Sequence, residues 1–185
     1  MNLKFSHIEK QHLLKAWVAI SIAFGILMST AANFIVVFFI SLFTVGLGFM
    51  VHEIAHKYFA QKFHCQAEFR ANEQMLLLAI AMSFFGFIFI APGAVIIRGR
   101  LTTKLNGIVS LAGPLSNLVL ALLFFSTHLL FPNPISLLGA TINTWLGLFN
   151  MIPFPIFDGA KVYKWSKSMY FATIVLGGLL MVIIQ

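Results

Sequence analysis

The sequence predicts an all-α polytopic membrane protein with about five or six membrane helices and a small membrane-associated β-sheet. Composition is the first observation behind this fold class, because 60% of the 185 residues are hydrophobic, 9% are charged and 21 are phenylalanine. Soluble domains carry about 25% charged residues. The second observation is a series of long uncharged runs. We therefore expect a single membrane-embedded domain over residues 1–185.

The first uncharged run extends from Ala16 to Val51. One membrane helix needs about 20 residues, so the run is long enough for two helices joined by a tight turn. Ser29, Thr30 and Asn33 are the natural residues for that turn. Later uncharged runs are Met75–Ile97, Leu105–Phe157 and Met169–Gln185.

Two prolines divide the run Leu105–Phe157. Pro132 and Pro134 remove helix hydrogen-bond donors and fix the backbone, so this run is predicted to form two helices joined by a turn.

The net charge of +7 comes from basic residues whose placement indicates how the chain is oriented in the membrane. By the positive-inside rule the basic clusters are cytoplasmic, whereas the two uncharged turns and Gln185 lie on the far side. Contact with the lipid bilayer is expected and a nucleic-acid partner is not, while binding of anionic lipid is a secondary interpretation of the same charges. The clusters are Lys4, Lys10 and Lys15; Lys57, Lys62 and Arg70; Arg98, Arg100 and Lys104; and Lys161, Lys164 and Lys167.

The segment Met75–Phe89 is predicted not to cross the membrane. A crossing would place the cluster that begins at Arg98 outside, against the positive-inside rule. A short or re-entrant helix, broken near Gly86 and Pro92, satisfies the rule.

Both flanks of that segment are predicted to be strands. Ala67–Arg70 alternates polar and apolar residues, and Ala94–Ile97 is rich in β-branched residues. Unpaired strand edges cannot face lipid, so this sheet is expected at the interface or against the protein.

A metal-binding pattern, His52-Glu53-Ile54-Ala55-His56, lies at the end of the first uncharged run. On a helix His52 and His56 project from one face and can bind one metal ion. Glu53 is placed as the general base of a zinc hydrolase, which takes a proton from the attacking water and gives it to the leaving amine. An ionisable side chain within a membrane helix costs about 2.5–3.5 kcal/mol, so metal binding is favoured over packing as the reason for this cluster.

Asp158 is the candidate third ligand. A catalytic zinc site usually has three protein ligands, and Asp158 is the only aspartate in the chain. Pro153 and Pro155 would unwind the preceding helix, and Gly159 lets the backbone turn, so the carboxylate could point inward. A plain Asp-Gly turn is the alternative. If Met75–Phe89 does not cross, this residue and the histidines lie on the same, cytoplasmic side.

Two asparagines are candidate substrate-binding or oxyanion residues. Asn117 lies four residues after Gly113, and Asn150 lies one turn before Pro153. Their amides could hold the substrate backbone or stabilise an oxyanion. Ordinary interhelical hydrogen bonding is the open alternative.

Together these motifs resemble the site-2 protease family of intramembrane zinc metalloproteases, over Phe49–Lys161. The resemblance implies one zinc ion held by His52, His56 and Asp158, with Glu53 as general base and both asparagines nearby. It also implies a membrane-anchored protein substrate that is cut within a transmembrane segment. The matching residues are His52–His56, Gly113-Pro114-Leu115-Ser116-Asn117, and Asn150-x-x-Pro153 followed by Asp158-Gly159.

The family also has a small membrane-embedded sheet between its first motif and the Gly-Pro-x-x-Asn helix, as predicted here. Many members carry a PDZ domain or a CBS pair, for which 185 residues leave no room. A compact chain with a cytoplasmic basic bias is typical of a prokaryotic cell-membrane protein. The pattern predicts neither the substrate nor an oligomeric state.

The main alternative is a non-hydrolytic membrane metal-binding protein or transporter that uses the same three ligands. It predicts that Glu53 is dispensable. An aspartyl intramembrane protease is disfavoured because it needs two aspartates. A zinc protease of the prenyl-protein-processing type needs a downstream glutamate ligand, and no glutamate follows Glu73.

Overall fold

The computed structural model describes residues 3–29, 33–88 and 92–184. This part of the chain is mostly helical and contains two short strands. The helices are α1 (His7–Met28), α2 (Phe34–Ser41), α3 (Leu47–Lys62), α4 (Glu73–Ser83), α5 (Thr103–Leu130), α6 (Pro134–Asn150), α7 (Asp158–Trp165) and α8 (Lys167–Ile184), and the strands are β1 (Gln66–Ala71) and β2 (Gly93–Arg98).

Four helical segments in the described part of the chain are long and apolar enough to cross a membrane: α1, the continuous segment Phe34–Lys62, α5 and α8. The segment Phe34–Lys62 joins α2 to α3 through the π-helical turn Leu42–Gly46. Helix α6 has 17 residues, a length of about 25 Å. The mostly helical fold with apolar membrane-length helices is confirmed, and the count of five or six membrane helices stays a prediction.

The predicted helix boundaries are found where turn residues occur. Helix α1 ends at Met28, and α2 begins after Asn33, whose side chain accepts a hydrogen bond from the backbone N–H of Ile35. Thr30 lies outside the described residues. Asn133, between the two prolines, caps α6 by accepting a hydrogen bond from the N–H of Ser136. The proline-rich turn therefore divides the long run as predicted.

The segment between the strands leaves the sheet and returns to it. Strands β1 and β2 are antiparallel, with Ala71 opposite Gly93, and the N–H of Asn72 donates to the carbonyl of Pro92 over 3.0 Å. Helix α4 has 11 residues, about 16 Å, which is too short to span a hydrocarbon core of about 30 Å. This geometry agrees with the predicted non-crossing element. Gly86 has a φ of +85° in the turn after α4, and Phe89 lies outside the described residues.

The outer edge of β1 is closed by side chains from α1 and α3. Glu9 accepts a hydrogen bond from the N–H of Phe69 over 2.9 Å, and Lys57 donates to the carbonyl of Ala67 over 2.8 Å. Lys57 also donates to both carboxylate oxygens of Glu9 over 2.8 and 2.7 Å. The charge pattern counted Lys57 only as part of a cytoplasmic basic cluster, and the structure shows that it is 1% exposed and paired with Glu9.

Helix α5 positions the elements that carry the predicted site. It packs against α3 on one side and against α6 and α7 on others. Gly107 permits the close approach of α7, because a side chain there would collide with Trp165. Helix α3, which carries the two histidines, and helix α7, which begins at Asp158, therefore meet at the same part of α5.

Candidate metal centre

The three predicted metal ligands meet at one point. The Nε2 atoms of His52 and His56 are 2.9 Å apart, and Oδ2 of Asp158 lies 3.3 Å from the first and 3.0 Å from the second. All three ligand atoms lie within 4.8 Å of one another, and all three residues are buried. The sequence spacing alone placed the two histidines together, and the fold adds the aspartate.

Asp158 reaches the histidines because the chain turns sharply between α6 and α7. Helix α6 ends at Asn150, and the segment containing Pro153 and Pro155 is non-helical up to Asp158. Gly159 packs directly on the backbone of Met151, where a Cβ would collide with the carbonyl group. Glycine is therefore required next to the aspartate for close packing, which a plain surface turn would not demand.

Hydrogen bonds fix the orientation of both imidazole rings. Nδ1 of His56 lies 2.8 Å from the carbonyl oxygen of Val109, and Nδ1 of His52 lies 2.6 Å from Oδ1 of Asn117. Both partners are acceptors, so each Nδ1 carries a proton. Each Nε2 is then free to present its lone pair to a metal ion, the usual arrangement of ligand histidines.

A glycine of α5 leaves room for the ligands. A Cβ at Gly113 would lie 2.5 Å from Nε2 of His56 and 2.6 Å from Nε2 of His52. Real Cβ atoms do not approach that closely, so only glycine allows α5 to pack against the two rings. This explains the glycine of the Gly-Pro-x-x-Asn motif in terms of space.

The donor set suits zinc. Two imidazole nitrogens and one carboxylate oxygen are the kind of three-ligand set that catalytic zinc sites use, with a fourth position left open. A metal ion would bind the Asp158 carboxylate in its ionised form.

Two curated proteins are similar to the chain. It is 46% identical over 144 residues to "Putative zinc metalloprotease MJ0611" of Methanocaldococcus jannaschii, covering 74% of this chain and 75% of that protein. It is 31% identical over 144 residues to "Putative zinc metalloprotease YwhC" of Bacillus subtilis, covering 65% of this chain and 66% of that protein. No family model and no solved structure matches the chain.

The chain belongs to this zinc metalloprotease family. Both relatives come from prokaryotes. Membership supports a metalloprotease, and it supports zinc as the metal for the three converging side chains.

The candidate centre of this metalloprotease opens into an apolar cavity of about 510 Å³. Glu53 lines the cavity next to the histidines and is 9% exposed. Its carboxyl group lies beside the backbone of Val95, so β2 forms one wall of the same cavity. Glu53 and the edge of β2 therefore face the same cavity.

The two predicted asparagines occupy different positions. Asn150 lines the cavity and donates one amide hydrogen to the carbonyl of Leu146 over 2.9 Å. Asn117 also borders the cavity but is fully buried, and its Nδ2 donates to the carbonyl of Gly48 over 3.0 Å and to Oδ1 of Asn143 over 3.1 Å. Both amide hydrogens of Asn117 are thus used within the protein.

Sequence reasoning missed two residues near the centre. Lys161 places its ammonium group 3.4 Å from Oδ1 of Asp158, the oxygen that does not face the histidines. Asn143 contacts Asn117 from α6. Lys161 was counted only as part of a basic cluster, and Asn143 could have been noticed as a buried amide within a long uncharged run.

Proposed function

We propose that the protein is an intramembrane zinc metalloprotease of the site-2 protease type, which cuts a transmembrane segment of a membrane-anchored protein. The observation that carries the proposal is the convergence of His52, His56 and Asp158 beside Glu53, among helices of membrane length. Membership of the zinc metalloprotease family supports the hydrolytic class.

Each residue of the site has a chemical task in this proposal. His52, His56 and Asp158 would hold zinc, which when bound polarises a carbonyl group and lowers the pKa of water. Glu53 accepts the proton of the attacking water and passes it to the leaving amine. It is suited to this task because it lines the cavity and is outside the converging set of ligands.

The two asparagines receive different roles. Asn117 holds His52 in position, because its oxygen faces Nδ1 of that ring and its amide hydrogens have partners in the protein. This role replaces the substrate contact that the sequence suggested. Asn150 remains the candidate for the substrate backbone. It lines the cavity and is only half-buried, and its amide also has a second N–H and a carbonyl oxygen.

A helical substrate must unwind before its peptide bonds become accessible, and β2 offers a place for the unwound segment. Residues 93–95 of β2 line the cavity, whereas the outer edge of β1 is closed by Glu9 and Lys57. An extended peptide can add as a strand to a sheet edge through backbone hydrogen bonds.

The strand edge can be tested at Val95. Val95→Pro removes the backbone N–H beside Glu53 and is expected to abolish cleavage while zinc stays bound. Val95→Ala keeps that N–H and serves as the control. Normal cleavage by Val95→Pro would contradict strand addition.

The proposal also places the protein in a prokaryotic cell membrane as a multi-pass, single-domain chain in contact with the bilayer. The site then lies near the cytoplasmic side. The positive-inside rule supports this orientation, because Lys62 ends α3 and Lys161 and Lys164 lie on α7, the two helices that carry the metal ligands.

Zinc content and cleavage together test the function. We would purify the wild type, Glu53→Gln and Asp158→Ala in mild detergent and measure zinc per chain. About one zinc ion is expected in the first two and much less in the third. The wild type and Glu53→Gln would then be reconstituted with membrane proteins from a prokaryote, and new N-termini identified by mass spectrometry.

Fragments that form with the wild type and not with Glu53→Gln would support the protease. Zinc flux across liposomes that survives Glu53→Gln, without new fragments, would favour the non-hydrolytic transporter. Equal zinc in all three proteins would contradict Asp158 as a ligand.

A further inference from the structure

We infer that Asn143 is a positioning residue of the metal centre, which acts on His52 through Asn117. The inference rests on the metal site of the proposed function, but not on proteolysis. Asn143 lies on α6, whereas His52 lies on α3 and Asn117 on α5, so three helices are joined by one chain of side-chain amides and an imidazole.

Asn143 is fully buried in an apolar part of the chain. A buried amide without hydrogen bonds is costly, so its partners determine how it sits. Its Nδ2 donates to the carbonyl of Gly139 over 2.9 Å and makes a longer contact of 3.4 Å with the carbonyl of Thr44. Its Oδ1 accepts a hydrogen bond from Nδ2 of Asn117 over 3.1 Å.

These contacts allow only one orientation of the amide. Both carbonyl groups are acceptors, so the NH2 end of Asn143 must face them and its oxygen must face Asn117. A reversed Asn143 would place an oxygen against two carbonyl oxygens and N–H groups against the N–H groups of Asn117. The backbone of α6 and of the π-helical turn therefore fixes the direction of the first hydrogen bond.

Asn117 connects Asn143 to the metal ligand His52. Asn117 must direct its NH2 group at Oδ1 of Asn143 and the carbonyl of Gly48, which leaves its oxygen for Nδ1 of His52 at 2.6 Å. That oxygen requires a proton on Nδ1, so Nε2 of His52 is the nitrogen left for a metal. Asn143 and the carbonyl of Gly48 thus act together to select the ring form of His52 that binds zinc.

The surroundings of Asn143 are shaped for this contact. A Cβ at Gly48 would collide with Oδ1 of Asn143, so glycine at this position of α3 leaves the space that the amide occupies. Thr44 lies in the π-helical turn Leu42–Gly46, a geometry often found at functional sites. Gly48 of α3 and the π-helical turn before α3 therefore both accommodate Asn143.

The test is zinc affinity, measured by competition with a chelator on the full-length protein in mild detergent. Asn143→Leu removes the acceptor for Asn117 and is expected to weaken zinc binding about tenfold, within the range found for residues that orient metal ligands. Thr144→Val is the matched control. Thr144 is also fully buried on α6, but its hydroxyl donates to Ala140 of its own helix, so no change in affinity is expected.

A double-mutant cycle separates positioning from a general structural effect. If Asn143 acts through Asn117, zinc affinity in Asn117→Leu should fall no further when Asn143→Leu is added. Additive losses would overturn the proposal. If Asn143→Leu does not fold, Asn143→Ala removes the same acceptor without added bulk, and unchanged zinc affinity in this folded variant would also overturn it.

The outcomes distinguish this inference from the proposed function. A wild type that binds zinc while Asn143→Ala binds it equally well would refute the role of Asn143 and leave the metal centre intact. A wild type that binds no zinc would refute the metal centre, and the role of Asn143 with it. Loss of affinity without any detectable cleavage would support the positioning role and count only against the protease.

Discussion

Lys57 and His56 are adjacent residues of α3, and each belongs to a buried polar cluster. The two clusters differ in whether hydrogen-bond acceptors are matched by donors. Lys57 donates to both oxygens of Glu9 and to the carbonyl of Ala67, so donors meet acceptors throughout. His56, one residue earlier, belongs to a cluster in which two imidazole nitrogens and a carboxylate oxygen face one another.

The difference shows which cluster is suited to bind a cation. The Glu9–Lys57 pair has complementary charges and needs nothing further. In the other cluster, both Nδ1 atoms hold their protons for Asn117 and Val109, so three acceptor atoms converge. Converging acceptors at this spacing are stable only with protons or a metal ion between them, and the donor set suits zinc.

The largest effect, a loss of stability, is expected from breaking the Glu9–Lys57 pair. Lys57→Met leaves the Glu9 carboxylate buried without its partner, and removing one member of a buried ion pair costs about 3–5 kcal/mol. Thermal unfolding in detergent would measure the loss. Zinc per folded chain should stay unchanged, because within the described residues neither Glu9 nor Lys57 hydrogen-bonds to any of the three ligand side chains.

A second variant makes this prediction specific. Glu9→Gln combined with Lys57→Met removes both charges and keeps a side-chain oxygen for the N–H of Phe69. Most of the lost stability should return. A double variant as unstable as Lys57→Met alone would mean that the pair stabilises the fold in another way than by mutual neutralisation.

An intermediate effect is expected at Gly113, which lies against the cluster of metal-ligand side chains. Gly113→Ala would force the two rings apart, and we expect zinc affinity to fall by about 10- to 100-fold, as for other residues that support metal ligands. Gly178→Ala is the matched control, because a Cβ there meets nothing within 4 Å. Unchanged zinc affinity in Gly113→Ala would show that α5 can shift without disturbing the ligands.

The same contrast explains how much could be predicted from the sequence. Uncharged runs, the proline turn and the strands on either side of α4 follow from local patterns, and the structure has them at nearly the predicted residues. The histidine pair follows from helix spacing. The convergence of Asp158 was predicted because it is the only aspartate and is followed by a glycine.

What could not be predicted depends on contacts between distant parts of the chain. Glu9 and Lys57 are 48 residues apart, so their pairing is invisible to any local pattern. The sequence could offer Asn117 as a polar residue near the site, but only the packing of α6 against α5 shows that its amide hydrogens go to Asn143 and Gly48.

The smallest effect is expected at Lys161, whose pairing with Asp158 resembles that of Lys57 with Glu9 except in its exposure. The ammonium group of Lys161 is 3.4 Å from the carboxylate, and its side chain is 41% exposed, against 2% for Lys57. Water screens such a pair, and exposed ion pairs contribute about 0.2–1 kcal/mol. Lys161→Met should therefore change zinc affinity by about fivefold at most.

Chelator competition at low and high salt would measure this effect. Lys164→Met is the control, because Lys164 lies on the same short helix but, among the described residues, forms no ion pair with Asp158. The difference between Lys161→Met and the wild type should shrink as salt rises, since salt screens exposed charges. A loss of 100-fold or more, insensitive to salt, would mean that Lys161 is an integral part of the metal centre. Exposure would then be a poor guide to which lysine–carboxylate pair in this protein is essential.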